Sequence, residues 1–470
     1  MASASQYDCL IIGAGMSGLA AGIRLAHFGK QVCILERHHT PGGLNSYYRL
    51  NGHEFDAGLH AVTNFAPHGG SSAPLNRVLR QLRLRYEDFA LCPQCESDIR
   101  FPGVTLRFSN DLALLESEVR ARFPAQADGF RRLEASLPGF SALDLERMPP
   151  VSARQALKDF ITDPLLTDML LCPLLYYGSP REDDMDFAQF AIMFRSIFCE
   201  GLARPREGVR RIIAALLAQY RACGGEMRLA CGVRRLNVRG GRVASVELEN
   251  GETLAADTVL SSAGHVETMR LCSDLTPDDG PRLDAQAGRM TFMESISILD
   301  ALPETLGLTQ TISFLNGAER FRYRPSEDLL DTSSAVVCCP GHFQYDRPLD
   351  VGVVRVTNIA NYRRWARLPD DEYRARKREC YERSLAAVAQ HLPGFRAHVK
   401  FVDIFTPRTI TRFTGHVNGA VYGAPRKSGD GRTRVENLFL CGTDQGLLGI
   451  IGAMLSGITM ANRHVLRRTA

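Results

Sequence analysis

The 470-residue chain is too long for one ordinary hydrophobic core, so two or three domains are expected. Its 45% hydrophobic and 23% charged residues suit a globular enzyme, and a formal net charge of +4 gives no global reason to invoke nucleic acid. Thirteen cysteines without a framework argue against a disulfide scaffold, and no stretch reaches the ~20 consecutive apolar residues of a membrane span.

The first folded segment, residues 7–36, organises the rest. Asp8-Cys9-Leu10-Ile11-Ile12 is a short apolar run ending in Gly13-Ala14-Gly15-Met16-Ser17-Gly18. A small-residue helical stretch follows over 19–28, then a second apolar run over 31–35 closed by Glu36. Strand, glycine turn, helix, strand and acid make up the dinucleotide-binding fingerprint in its structural context. Gly13 permits a tight turn, Gly15 leaves room for a pyrophosphate, and Gly18 lets the helix pack closely on the sheet. The helix amino end offers free N–H groups to phosphates, and Glu36 is placed to accept from a ribose diol. Alone, this fingerprint fits NAD as well as FAD. No secretory signal precedes it, so reduced thiols and a cytoplasmic location are expected.

Beyond Arg37, the paired glycines Gly42 and Gly43 are expected to carry backbone past a flavin or pyrophosphate. A hairpin over 47–50 and 53–55, turning at Asn51-Gly52, leads into Phe55-Asp56-Ala57-Gly58-Leu59-His60. Residues 75–175 read as amphipathic helices interrupted by two short strands near 99–108. The segments 165–177 and 187–198 are rich in large apolar residues. They form either an interior helical pair or the lining of a long apolar substrate tunnel. Cys92-Pro93-Gln94-Cys95 lacks a second ligand pair, so no metal is expected. A helix over 208–220 carries Val209, Ile212, Ile213, Leu216 and Leu217 on one face. A strand starting at Met227 is expected to continue through 232–236, before a hairpin at Asn250-Gly251 and an apolar strand over 258–264. Strand-like segments over 292–359 suggest a mixed sheet, and 370–391 reads as a charged helix.

Residues 437–444 form a second informative stretch, an apolar strand delivering Gly442 and Asp444, followed by a glycine-rich helix start over 446–457 that includes Met454. Asp444 can accept from a ribitol hydroxyl or cap the helix, and the helix amino end can face a flavin ring. The two chain ends together predict a split FAD site. The fold class is α/β: a Rossmann-like FAD-binding domain assembled from 1–75, 206–275 and 406–470, a helical apolar subdomain over 76–205, and a mixed-sheet substrate domain over 276–405.

The order GAGMSGL, GG, FDAGLH, GRVASVELENGETLAADTVLSSAG and NLFLCGTD…GAMLSG resembles, end to end, the phytoene desaturase, carotenoid isomerase and retinol saturase family of the flavin amine oxidase superfamily. The resemblance implies bound FAD, held by Gly13, Gly15, Ser17, Gly18, Glu36, Arg37, Gly42 and Gly43. It also implies adenine contact at the Val233 backbone and flavin contact by Gly442, Asp444 and Met454. Leu44 stands where many desaturases carry Arg, and 201–208 reads GLARPREG rather than a Pro-x-Gly-Gly turn. FDAGLH and GTD are closer to saturases and isomerases than to desaturases, which leaves the direction of the redox step open.

The leading reading is an FAD-dependent oxidoreductase that desaturates, saturates or isomerises C=C bonds in a polyene or isoprenoid lipid. The enzyme would dock peripherally on the inner face of the membrane that stores its substrate. Asp56, His60 and Arg408 are the candidate catalytic groups near the flavin. Each also has a plain structural role open to it, in loop geometry, FAD binding or an ion pair. A flavin amine oxidase is the alternative, and a non-enzymatic FAD-binding protein a third.

Overall fold

The computed structural model describes residues 6–66, 70, 73–140 and 150–467. Five parallel strands form the first sheet, in the order Leu438–Leu440, Ala256–Ser261, Tyr7–Ile12, Val32–Leu35, Glu226–Arg228. Val32–Leu35 and Leu438–Leu440 are wholly apolar and buried because both faces of the sheet are covered, whereas the edge strand Glu226–Arg228 is polar and partly exposed. Cys9 and Ile11 face the helices Met16–His27 and Gly449–Ala461. Leu10 and Ile12 point the other way, against a three-stranded antiparallel sheet of Val233–Arg239, Arg242–Leu248 and Thr253–Leu254.

The strand expected to run from Met227 through 236 is two strands in two sheets. Ala230 adopts a left-handed backbone (φ 49°) that breaks it. The turn is held by Ala230 N–H donating to the His38 carbonyl at 3.0 Å and Cys231 N–H to the Glu36 carbonyl at 2.8 Å. The hairpin at Asn51-Gly52 forms between Tyr47–Leu50 and His53–Asp56, both turn residues having positive φ as a tight two-residue turn requires.

A seven-stranded mixed sheet runs in the order Val399–Phe405, Thr291–Leu299, Gly352–Ala360, Ser334–Cys338, Ile312–Asn316, Ser97–Phe101, Val104–Phe108. The two strands near 99–108 therefore complete this sheet, joined by a parallel pairing of Ser97–Phe101 with Ile312–Asn316. The apolar helices Pro164–Gly178 and Phe187–Phe194 pack beneath it, with Leu170, Leu174, Phe190 and Phe194 fully buried. Asp163 and Asp186 cap their amino ends by accepting from backbone N–H groups. The charged helix spans Asp370–Val388. Among the described residues, no helix is long and apolar enough to cross a membrane.

Candidate active site

A cavity of about 1000 Å³ lies where the parallel strands end against the mixed sheet. The amino-terminal fingerprint turn stands beside one wall: a Cβ on Gly43, which lines the cavity, would be 3.4 Å from Gly15 Cα. Gly13 turns at φ 95°, and a Cβ on Gly18 would stand 2.0 Å from the Gly13 carbonyl oxygen, so the helix can sit this close only without a side chain there. Space beside Gly15 is open, with no atom within 4 Å of a Cβ built on it. The helix it opens has no side-chain cap and no acid in its first turn, leaving its amino end for an anion.

Glu36 lines the same cavity. Its Oε2 accepts from Ala14 N–H and its Oε1 from His38 N–H, each at 2.8 Å. A carboxylate has about four acceptor sites, so capacity remains for a diol. Thr443, Leu448, Gly449, Ile450 and Ala453 also line the cavity and bring a helix amino end to it, likewise without a side-chain cap. An acid and one uncapped helix start on the cavity wall, with a second uncapped helix start and an open glycine next to lining residue Gly43, fit a dinucleotide flavin.

The inner end of the cavity is aromatic. Tyr176, Tyr177, Phe292 and Tyr422 line it together with Met193, Val336 and Val421. Tyr176 stacks on Phe292 with ring centroids 5.8 Å apart, and Tyr422 meets Phe292 edge-on at 6.0 Å. Of the apolar side chains on the helical pair, Tyr176, Tyr177 and Met193 reach this cavity; Leu166, Met169, Leu170, Leu171 and their neighbours are core. The pair is thus chiefly an interior one.

One polar group of the predicted set sits in this aromatic end. His60 Nε2 lies 3.3 Å from Glu294 Oε1 and 3.1 Å from Thr357 Oγ1, with the Tyr177 ring edge-on at 6.2 Å. Strand register explains the grouping. Glu294 pairs with Thr357, and Arg355, two residues along, shares the face. Arg355 Nε and Nη2 donate to the same Glu294 oxygen at 2.6 and 2.5 Å, and Nη1 and Nη2 donate to the Leu59 and Ala57 carbonyls at 3.0 and 2.7 Å. Burial lowers the affinity of His60 for a proton, outweighing the opposing pull of Glu294, so the imidazole is neutral. Burial pushes the Glu294 carboxyl upward, but Arg355 and His60 together hold it below the usual carboxylate range.

The other candidates land elsewhere. Asp56 does not line the cavity: it is buried against Arg204 Nη2 and accepts from Val209 N–H at 3.2 Å, anchoring the helix Val209–Ala222. Arg408 points to the surface, with Nη2 2.5 Å from Asp370 Oδ1 and its guanidinium 4.5 Å from the Tyr373 ring centroid. Asp444 is also off the cavity wall and does not cap the helix Gly449–Ala461 that follows it; it meets the amino end of the helix His265–Arg270 instead. Its carboxylate accepts from Ala424 N–H at 2.7 Å and His265 N–H at 2.6 Å, with Lys427 Nζ at 3.5 Å, tying three segments together.

Arg37 reaches outward to the Arg412 carbonyl at 2.8 Å, and Met454 is buried in the nucleotide core. Ser17 lies beside Gly442, where an added Cβ would stand 2.8 Å from its Oγ. Gly42 and Gly43 turn at φ 117° and 60°, with Gly43 on the cavity wall. Val233 starts its strand two residues past the Cys231–Glu36 backbone bond. Sequence reasoning missed Glu294, Arg355 and Arg204. The available signal was a single charged residue inside an otherwise uncharged strand, a placement that demands a partner once the strand is buried.

The sequence pattern of the family described as "Flavin containing amine oxidoreductase" matches residues 16–464. The chain is 22% identical to prolycopene isomerase 2 of an Oncidium hybrid cultivar, over 98% of this chain and 84% of that protein. It is 23% identical to all-trans-retinol 13,14-reductase of Danio rerio, over 97% and 85%. A solved oxidoreductase from Methanosarcina mazei shares the fold with a TM-score of 0.67 at 18% identity, over 96% of this chain and 99% of that one. With the family pattern spanning nearly its whole length and a cavity wall suited to the cofactor, the chain belongs to the flavin-containing amine oxidoreductase family and is an FAD-dependent oxidoreductase.

Proposed function

We propose that this enzyme changes C–C and C=C bonds in an apolar isoprenoid polyene. The observation that carries the reading is the inner end of the cavity, where aromatic walls surround a neutral imidazole and an ion pair that compensates its own charge. A polyene offers no polar handle, so shape and apolar contact must hold it. Tyr176, Tyr177, Phe292 and Tyr422 bind and orient the chain and keep water out, while His60 takes or gives a proton at the reacting carbon. FAD, when bound, supplies hydride acceptance or donation. In this reading Glu36 holds the ribose, and Gly13, Gly15, Ser17 and Gly18 hold the pyrophosphate. Gly42, Gly43 and Gly442 give the flavin its clearance, and the Val233 backbone meets adenine.

The names of the two relatives matched over nearly the whole chain, an isomerase and a reductase, favour isomerisation or saturation over desaturation. Such a substrate resides in membranes, so the enzyme works from the cytoplasm as a peripheral visitor to the membrane surface. The test is expression in a carotenoid-accumulating host with product analysis, paired with anaerobic mixing of the yellow holoprotein with polyenes. Altered double-bond geometry or number supports the reading, and flavin bleaching by amines but not by polyenes overturns it. That second outcome would favour amine oxidation, which the family name and the aromatic surround also suit.

A further inference from the structure

We infer that Glu294 fixes His60 as the tautomer protonated on Nε2, with Thr357 a second acceptor for that N–H, which makes Nδ1 the atom that exchanges a proton with substrate. The role in substrate chemistry rests on the polyene reading; the tautomer does not. The argument begins with what a carboxylate can do. Glu294 Oε1 already accepts from Arg355 Nε and Nη2, and an ionised carboxylate only accepts. The His60 Nε2 facing that oxygen at 3.3 Å must therefore carry hydrogen, because a bare lone pair would be repelled. Thr357 Oγ1 at 3.1 Å can accept from the same N–H. Nδ1 has no hydrogen-bond partner among the described residues, while the ring itself lines the cavity.

Charge around the ring supports this assignment. Facing His60 are Glu294, Thr357 and Arg355 from the sheet, Tyr177 from the helix Pro164–Gly178, Cys338 Sγ 3.9 Å from its carbonyl, and Arg204 with its partner Asp56. The two arginines and two carboxylates cancel, so a resting imidazolium would be an uncompensated charge in an aromatic chamber. A proton arriving on Nδ1 during turnover is tolerated because Glu294 lies behind the ring, the role the aspartate plays behind the imidazole of a Ser-His-Asp triad. Glu294 is the positioning residue, and Arg355 holds it in place.

The tautomer can be read directly by long-range 1H–15N correlation on holoprotein labelled with 15N-histidine at pH 7.5, His60 being assigned by its disappearance in His60→Asn. The expected result is a neutral ring with Nε2 protonated, retained in Thr357→Val and shifted to a mixture in Glu294→Gln. An Nδ1–H or cationic ring in the wild type overturns the inference, as does an unchanged ring in Glu294→Gln. The wild-type and Thr357→Val arms stand even if Glu294→Gln misfolds. With a turned-over polyene, Glu294→Gln should lower kcat about 100-fold with little change in KM, and move the acid limb of kcat/KM to lower pH. Failure of every polyene to react would sink the substrate reading and leave the tautomer result intact.

Discussion

Gly457 of the last helix lies so close to Ser17 of the first that a Cβ on Gly457 would stand 2.0 Å from the Ser17 carbonyl oxygen and 3.1 Å from Ala21 N. The first helix of the fingerprint and the last helix, whose amino end lines the cavity, are thus packed backbone to backbone. Gly457→Ala has no flexible side chain to push aside and should destabilise the fold by about 3 kcal/mol, the upper range for overpacking. It should also loosen FAD, since both walls of the site shift. Gly280→Ala, in the helix Asp279–Gln286 with open space around it, is the control and should be neutral or slightly stabilising. Thermal melts and flavin content of both variants check this.

Glu36→Ala should weaken FAD binding by about 10–100-fold, the equivalent of one charge-assisted hydrogen bond lost. Flavin absorbance after exhaustive dialysis is the measurement. Undiminished retention would remove Glu36 from the ribose site.

Asp56 and Arg408, both acceptable as catalytic groups from sequence, should part company on mutation. Asp56→Ala strands the buried Arg204 guanidinium and should destabilise by about 3–5 kcal/mol. Arg408 and Asp370 are 32% and 90% exposed, so Arg408→Ala should change stability by less than about 1 kcal/mol and leave turnover unchanged. A large loss of kcat in Arg408→Ala would return it to the active site.

Acid should destabilise the protein through His60 and Glu294 together. His60 binds its proton less readily folded than unfolded, so the unfolded chain gains protons first as pH falls below about 6.5. Glu294 is likewise held below its ordinary value, and its contribution is lost as pH drops through and below about 4.3. The melting temperature should fall over both windows, and His60→Asn should flatten the upper one. Equal pH dependence in wild type and His60→Asn would contradict the buried neutral ring.

The nucleotide half of the molecule was readable because its instructions are local. Gly13, Gly15, Gly18 and Glu36 lie within one strand–helix–strand unit, the glycines acting through backbone geometry and Glu36 through a carboxylate placed by the end of the second strand. The hairpin at Asn51-Gly52 was readable for the same reason. The break at Ala230 was not, since nothing in its side chain asks for positive φ; backbone bonds to Glu36 and His38 impose it. The apolar content of 165–198 was evident, but which side chains are core and which are wall depends on what packs above them.

The sequence by itself determined that the chain uses a flavin dinucleotide and predicted its site between the chain ends, since short-range glycine and strand patterns carry that information. Only tertiary structure decided where a proton can go. His60 and Glu294 are 234 residues apart, and Glu294 and Arg355 are 61 apart. They meet because strand register puts Glu294, Thr357 and Arg355 on one buried face beneath the loop that carries His60. Burial then separates the roles: the same side-chain types that would titrate freely on the surface become a fixed ion pair and a neutral imidazole once water is excluded.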